Sequence, residues 1–322
     1  MESFGHSFRV ALSGGSHSPA MRVVVDGVKP GLALSVEDFA ADIDRRRSGA
    51  AGTTARVERD VPVILSGVSG RVTTGESLVI EFRNEDIRPS DYEMFRDMPR
   101  PGHADFTARA KYGDEAAVSG GGQFSGRMTL PIVAAGVVAK KMLGPSIHFD
   151  ARLVEVGGSP DSAGWPDLIA AAESEGDSLG GIVECVVSGV PAGVGDPFWD
   201  SVESLVSHAV FAIPGVRGIE FGDGFAASRM KGSEHNDPFG EGLRPLKNGS
   251  GGINGGITNG REIVFRVAFK PTSSIRKAQR TWNVAKGSFD DLVVPGRHDT
   301  CFALRTPVVV EAVAAIVFAD LI

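Results

Sequence analysis

The chain has 322 residues, 42% of them hydrophobic and 23% charged, a composition that buries a sizeable core and lies far from that of a disordered protein. A net charge of −7 excludes a general nucleic-acid binder, which needs basic surface to displace counterions, but leaves room for a small anionic ligand held by a local cluster of cations. Two cysteines, Cys185 and Cys301, are too few for a disulfide framework, and no Cys/His grouping has zinc spacing, so no metal is expected and a reducing cytoplasm fits best.

In chain order, the first twenty residues carry no basic segment followed by an apolar run, so no secretory signal is expected. A strand is predicted at 22–26 from its valines. Ser35 with Asp38 three residues on is a capping-box-like start, and that helix runs into Arg45, Arg46 and Arg47 before Gly49. A second strand follows at 78–82. The glycine-rich stretch 120–127 feeds an apolar helix beginning near Thr129. After a strand at 182–188, Asp196 and Pro197 open a helix that sets Trp199, Val202, Leu205 and Val206 on a 3.6-residue period. A strand at 262–269 and a mostly buried helix at 308–321 complete the order. The apolar runs 132–139 and 312–319 are too short to span a bilayer, so no membrane association is expected. No linker divides the chain, so residues 1–322 are read as one domain, α+β or α/β, and the element order does not follow a regular βαβ repeat.

Five short stretches combine glycine with Ser, His, Arg, Lys or Asp: 13–17, 100–105, 120–127, 270–274 and 297–299. Each alone is a weak signal. The arginines at 45–47 suit the last turn of a helix through its dipole, yet consecutive helical residues stand 100° apart, so at least one can face a phosphate while others are solvated. The 120–127 stretch can present backbone N–H groups to an anion, but it is neither GxGxxG nor GxxxxGK[ST], and a plain turn accounts for it equally well. His17 and His103 lie beside glycine in polar turns where an imidazole can reach a ligand. Ser16 beside His17 is not a nucleophile pair, because no GxSxG elbow is present and adjacent residues rarely present both side chains to one atom.

Taken together and in order, these stretches resemble the chorismate synthase family over essentially the whole chain. The resemblance is carried by Asp44 through Arg47, Arg100 through Asp105, Gly120 through Arg127 followed by Ala134-Ala135-Gly136, Ser188 through Gly193, Gly222 through Phe225, Lys270 through Ile275, and Arg297-His298-Asp299 with Glu311. It implies a β-α-β sandwich, two antiparallel sheets flanking a helical layer, in a homotetramer. It implies a 1,4-anti elimination of phosphate from 5-enolpyruvylshikimate 3-phosphate to give chorismate, with reduced FMN required but not consumed. By position, His17 resembles the histidine that protonates departing phosphate, His103 the one that sets flavin protonation near N1, and Asp299 the aspartate that assists proton transfer at N5. Arg46, Arg100, Arg127 and Arg297 match arginines of the anionic substrate pocket. Gln123, Phe124, Ser125, Gly255, Lys270, Pro271, Thr272, Ser273 and Ser274 match flavin contacts.

The chain departs from the family pattern in places. The first motif ordinarily reads Gly-Glu-Ser-His-Gly, whereas Gly15 stands here for the glutamate and Ser18 for the last glycine; an arginine ordinarily near Gly52 is absent, with Arg56 nearby. A diverged paralogue that binds flavin or a phosphorylated ligand without turnover is therefore the alternative. Some family members carry their own NAD(P)H-dependent flavin reductase; no dinucleotide fingerprint occurs here, so an external reductase or reductant is expected.

Overall fold

A computed structural model describes residues 3–54, 58–85, 89–113, 121–296 and 298–322. The chain opens with β1 (Ser3–Phe4), β2 (Arg9–Gly14), β3 (Ala20–Asp26) and the short helix α1 (Ala40–Arg46). Next come β4 (Val63–Ser66), the small pair β5 (Val68–Ser69) and β6 (Val72–Thr73), β7 (Leu78–Arg83), α2 (Asp105–Tyr112) and α3 (Thr129–Leu143). The second half holds β8 (His148–Val156), α4 (Trp165–Ser174), β9 (Gly181–Ser188), α5 (Val202–Phe211), β10 (Val216–Phe221) and the single turn α6 (Gly232–His235). It ends with β11 (Ile253–Asn254), β12 (Ile257–Thr258), β13 (Ile263–Phe269), β14 (Gln279–Asn283), β15 (Ser288–Leu292) and α7 (Pro307–Leu321).

Two antiparallel sheets form, in the orders β1-β2-β3-β7-β4 and β10-β13-β9-β8. Period-2 alternation sets their inner faces: Met21, Val23 and Val25 on β3, and Ile263, Phe265 and Val267 on β13, are buried, while Arg22 and Arg266 point outward. Helices α3 and α7 lie between the sheets, α3 against β3 and β7, α7 against β8 and β9. Both are apolar on nearly every side, as a helix buried all round must be. Their close approach needs Gly136: a Cβ there would sit 2.3 Å from the Cβ of Ala312. The architecture is the expected α+β sandwich with a helical middle layer, and one continuous core joins both sheets to it. Among the described residues no helix is long and apolar enough to cross a membrane.

The four predicted strands all form, as do the helices ending at the arginine run, starting near Thr129 and closing the chain. The Asp38 carboxylate accepts from the Ser35 backbone N–H at 2.7 Å, one half of the anticipated capping box. The helix placed at Asp196 begins later. Ser201 is its cap, its hydroxyl accepting from Ser204 N at 3.1 Å, and Phe198 in the left-handed region (φ 67) stops the helix extending backward. Trp199 is consequently outside α5 and 88% exposed instead of on its apolar face.

Candidate active site

Loops at one end of the sandwich converge on an open cavity of about 290 Å³. The β2–β3 hairpin loop contributes His17; the end of α1, Arg46 and Arg47; the approach to β4, Glu58 and Asp60. The loop before α2 brings Arg100 and His103, the turn before α3 Phe124 through Arg127, the segment after β13 Lys270 through Ser274, and the approach to α7 His298, Asp299 and Arg305. Among the described residues six guanidinium or ammonium groups thus face three carboxylates, a net positive wall in an acidic protein. Arg127 and Arg305 each lie two residues before a 15-residue helix, so the positive ends of α3 and α7 add to it.

The arginine run splits by helical geometry. Arg45 turns away and pairs with the buried Glu311 of α7 at 2.6 Å, and Lys140 of α3 reaches the same carboxylate at 2.9 Å, fixing α1 to the middle layer. Arg46 points into the cavity, only 3% exposed, donating from Nε to Thr129 Oγ1 at 3.0 Å and from Nη1 to Asp60 Oδ2 at 3.3 Å. Asp60 also accepts from Arg127 Nη1 at 2.7 Å, so one carboxylate bridges two buried guanidinium groups. Burial foremost, then the charge of Arg305 and, against the pull of Asp60, that of Arg127, push the Arg46 pKa down to about 9. It stays a cation at neutral pH, under a like-charge stress that a bound anion relieves.

Around His103 the geometry is set by Asp105. Its Oδ1 lies 2.6 Å from His103 Nδ1 and 2.7 Å from Arg100 Nη2. Burial alone would raise the Asp105 carboxyl, but the Arg100 fork and then His103 outweigh it and hold it well below the ordinary carboxylate range. With Nδ1 engaged, Nε2 is the ring atom left to meet a ligand. Arg100 Nη1 donates to Ser274 Oγ at 3.1 Å, and Lys270 Nζ and Ser273 Oγ donate to Gly102 O at 2.7 and 2.8 Å, so the 100–105 and 270–274 segments close the cavity as one unit. Asp299 is equally constrained: Oδ2 accepts from Arg305 Nη2 at 2.6 Å and Oδ1 from Thr54 N at 2.9 Å. Burial lowers the pKa of His298 beside it, which keeps that ring neutral near pH 7.

Of the residues singled out from sequence, His17, His103, Asp299, Arg46, Arg100, Arg127, Phe124, Ser125 and Lys270 through Ser274 line the cavity together. Gln123 is exposed next to it. Gly255 sits in the β11–β12 turn, whose neighbouring Gly256 O accepts from Val202 N at 3.0 Å, and it does not border the cavity. Arg297 and Arg56 lie outside the described residues. Position 15 is tight in this backbone, since a Cβ on Gly15 would stand 3.0 Å from the carbonyl carbon of Gly122, and a glutamate there needs that turn to give by a few tenths of an ångström. Instead Ser18 organises the turn, its hydroxyl bonded to Gly15 N and Gly15 O (both 2.8 Å) and to Ala20 O (2.7 Å). Sequence reading missed Glu58, Asp60 and Arg305, and gave His298 no role of its own within the 297–299 stretch. Arg305 follows the 297–299 stretch closely enough to have been grouped with it; nothing local marks Glu58 or Asp60, which matter only through arginines distant in sequence.

A water-accessible, cation-lined cavity with three imidazoles and a fixed carboxylate, built at one end of a β-α-β sandwich, defines an enzyme for a small anionic substrate. The chorismate synthase family model matches residues 8–322. The "Chorismate synthase" of Chitinophaga pinensis is 54% identical, spanning 99% of this chain and 96% of its own, and that of Korarchaeum cryptofilum is 43% identical over 98% and 96%. A "Crystal Structure of Chorismate Synthase" superposes with a TM-score of 0.76 at 25% identity, covering 98% of this chain and 92% of the other. The chain belongs to the chorismate synthase family, lyases of the shikimate pathway.

Proposed function

We propose that this chain, acting as one domain, catalyses the 1,4-anti elimination of phosphate from 5-enolpyruvylshikimate 3-phosphate to give chorismate, with reduced FMN bound in the same cavity. The observation that carries this reading is a set of buried donors without a protein hydrogen-bond partner in the cavity wall: Arg127 Nη2, Arg305 Nε and Thr272 Oγ1. Buried polar atoms are rarely left so unless a ligand completes them. These donors fit a ligand set rich in anionic oxygens. Lys270 through Ser274 with Phe124 and Ser125 would hold the flavin, and Arg46, Arg100, Arg127 and Arg297 the substrate.

Reduced flavin held by Lys270 through Ser274 with Phe124 and Ser125 would supply the electron density that loss of the ester C–O bond and of the carbon-6 hydrogen requires, with no net change in its oxidation state. The protein's own share is positional and protonic. Arg46 and Arg127, preset by Asp60, bind the anionic groups without reorganising. His17 delivers a proton to the departing phosphate oxygen, His103 holds the proton balance of the flavin face at Nε2, and Asp299 moves a proton at its carboxylate.

In an anaerobic assay, turnover is expected to need reduced FMN while its net consumption is zero, because the elimination leaves the oxidation state of the substrate unchanged. Loss of one reduced flavin per chorismate contradicts the reading. Binding of both ligands without product makes the chain a non-catalytic paralogue. Reduced flavin comes from an external reductase or reductant in the cytoplasm. The assembly is a homotetramer, a reading supported by the exposure of Phe198 (84%), Trp199 (88%) and Phe225 (74%), large apolar side chains of the kind that mark protein contacts. Sedimentation should give four times the 33.7 kDa chain mass, and a monomer contradicts it.

A further inference from the structure

Elimination from a bound phosphate ester sets two demands at once: a guanidinium must hold the anion, and an imidazole must meet the leaving oxygen. Arg127 and His17 do not share an element, so something must fix their separation. We infer that Asn84 is the positioning residue that joins them, an assignment that rests on the function proposed above.

Asn84 follows directly on β7. The β3–β7 register pairs Ala20 with Arg83, which sets residue 84 beside the β2–β3 hairpin loop, and its backbone N–H donates to Pro19 O at 3.1 Å. Its side chain is buried, with every amide hydrogen used. Nδ2 donates to Gly15 O at 3.0 Å and to Ser18 O at 2.7 Å, the two carbonyls that bracket Ser16 and His17. Oδ1 accepts from Arg127 Nε at 2.8 Å. The partners fix the amide orientation, since the flipped form would set its NH₂ against the arginine N–H and its oxygen against both carbonyls. On its far side the same loop is tied by Ser16 N to Gly122 O at 3.1 Å, in the segment that leads into Arg127. Asn84 thus closes a ring running from the His17 loop through its own amide to Arg127 and back through Gly122. The guanidinium and the imidazole therefore move as one unit.

Two variants separate the halves of this bridge. Asn84→Ala removes both, whereas Asn84→Asp keeps an acceptor for Arg127 but places an oxygen against Gly15 O and Ser18 O. In steady-state anaerobic assays Asn84→Ala should lower kcat by about 10²-fold, the scale of a displacement near 1 Å of a reacting group, and also raise KM. Asn84→Asp should lower kcat with KM nearly unchanged. In a His17→Ala background neither change should lower kcat further, because the residue acts through His17. An additive loss in that background, an effect on KM alone, or no effect on kcat overturns the assignment. If neither variant folds by circular dichroism, Asn84 serves the fold and the assignment is likewise overturned. A wild-type chain that makes no chorismate defeats the proposed function by itself; the His17 imidazole NMR signals then decide, since they should shift in Asn84→Ala with or without turnover, and unchanged signals overturn the inference.

Discussion

Replacing Arg127 with alanine is expected to raise the KM for the phosphorylated substrate by about 10²-fold while leaving a folded protein. The guanidinium divides its donors. Nε and Nη1 belong to the protein, bonded to Asn84 and Asp60, whereas Nη2 is buried in the cavity wall with no hydrogen-bond acceptor and only the distant Glu58 carboxylate, 3.8 Å away, for charge. A hydrogen bond to a charged group contributes about 1.5–3 kcal/mol, and each 1.4 kcal/mol is tenfold in binding, so losing the ligand's share gives the stated shift. Stability falls too, by about 1–3 kcal/mol, because Asn84 Oδ1 and Asp60 Oδ1 lose a donor in the interior. Asp60 is not stranded, since Arg46 remains 3.3 Å away. Substrate kinetics and thermal unfolding without ligand measure the two losses separately. An unchanged KM beside a lowered melting temperature would make Arg127 a structural residue.

That division of labour shows why the sequence discloses some of the site and conceals the rest. Where a residue's task is set by its local segment, the pattern is readable: valines alternating on β3, an arginine run at the end of α1, glycines ahead of α3. Asp60 carries no such mark. It sits in a left-handed backbone (φ 51) before β4, and its worth comes from two arginines brought to it by α1 and by the turn before α3. Asn84 is similar, a single amide after a strand whose importance depends on the β3–β7 register. The late start of α5 has a local cause. The left-handed Phe198 interrupts the helix that Asp196 and Pro197 would open, and Ser201 caps it instead. Cooperative electrostatics such as the lowered pKa of Arg46 needs four chain segments, those of Arg46, Asp60, Arg127 and Arg305, in place before it exists at all.

The other large effect belongs to Asp299. Asp299→Asn is expected to lower kcat by about 10²- to 10⁴-fold, the range for removing a proton-transfer group, because the amide is nearly isosteric but cannot take up a proton under these conditions. A role confined to proton transfer would leave substrate binding largely intact. The geometry modifies that expectation. Both carboxylate oxygens already accept bonds, from Arg305 Nη2 and from the Thr54 backbone N–H. An asparagine can satisfy only one of these donors, and its NH₂ must then face the other. If its oxygen keeps Arg305, the clash falls on the Thr54 backbone; if it keeps Thr54, Arg305 loses its 2.6 Å partner while its own Nε already lacks one. Either way Arg305, a cavity cation, is held less firmly, so KM should rise by several-fold alongside the larger fall in kcat. Arg305→Ala separates the two roles: it removes the tether but leaves the carboxylate, and should raise KM while costing much less in kcat than Asp299→Asn. Equal losses of kcat in the two variants would mean that Asp299 serves only to hold Arg305, and the proton would then have to be moved by another group of this cavity, with His298, neutral and adjacent, the nearest in sequence.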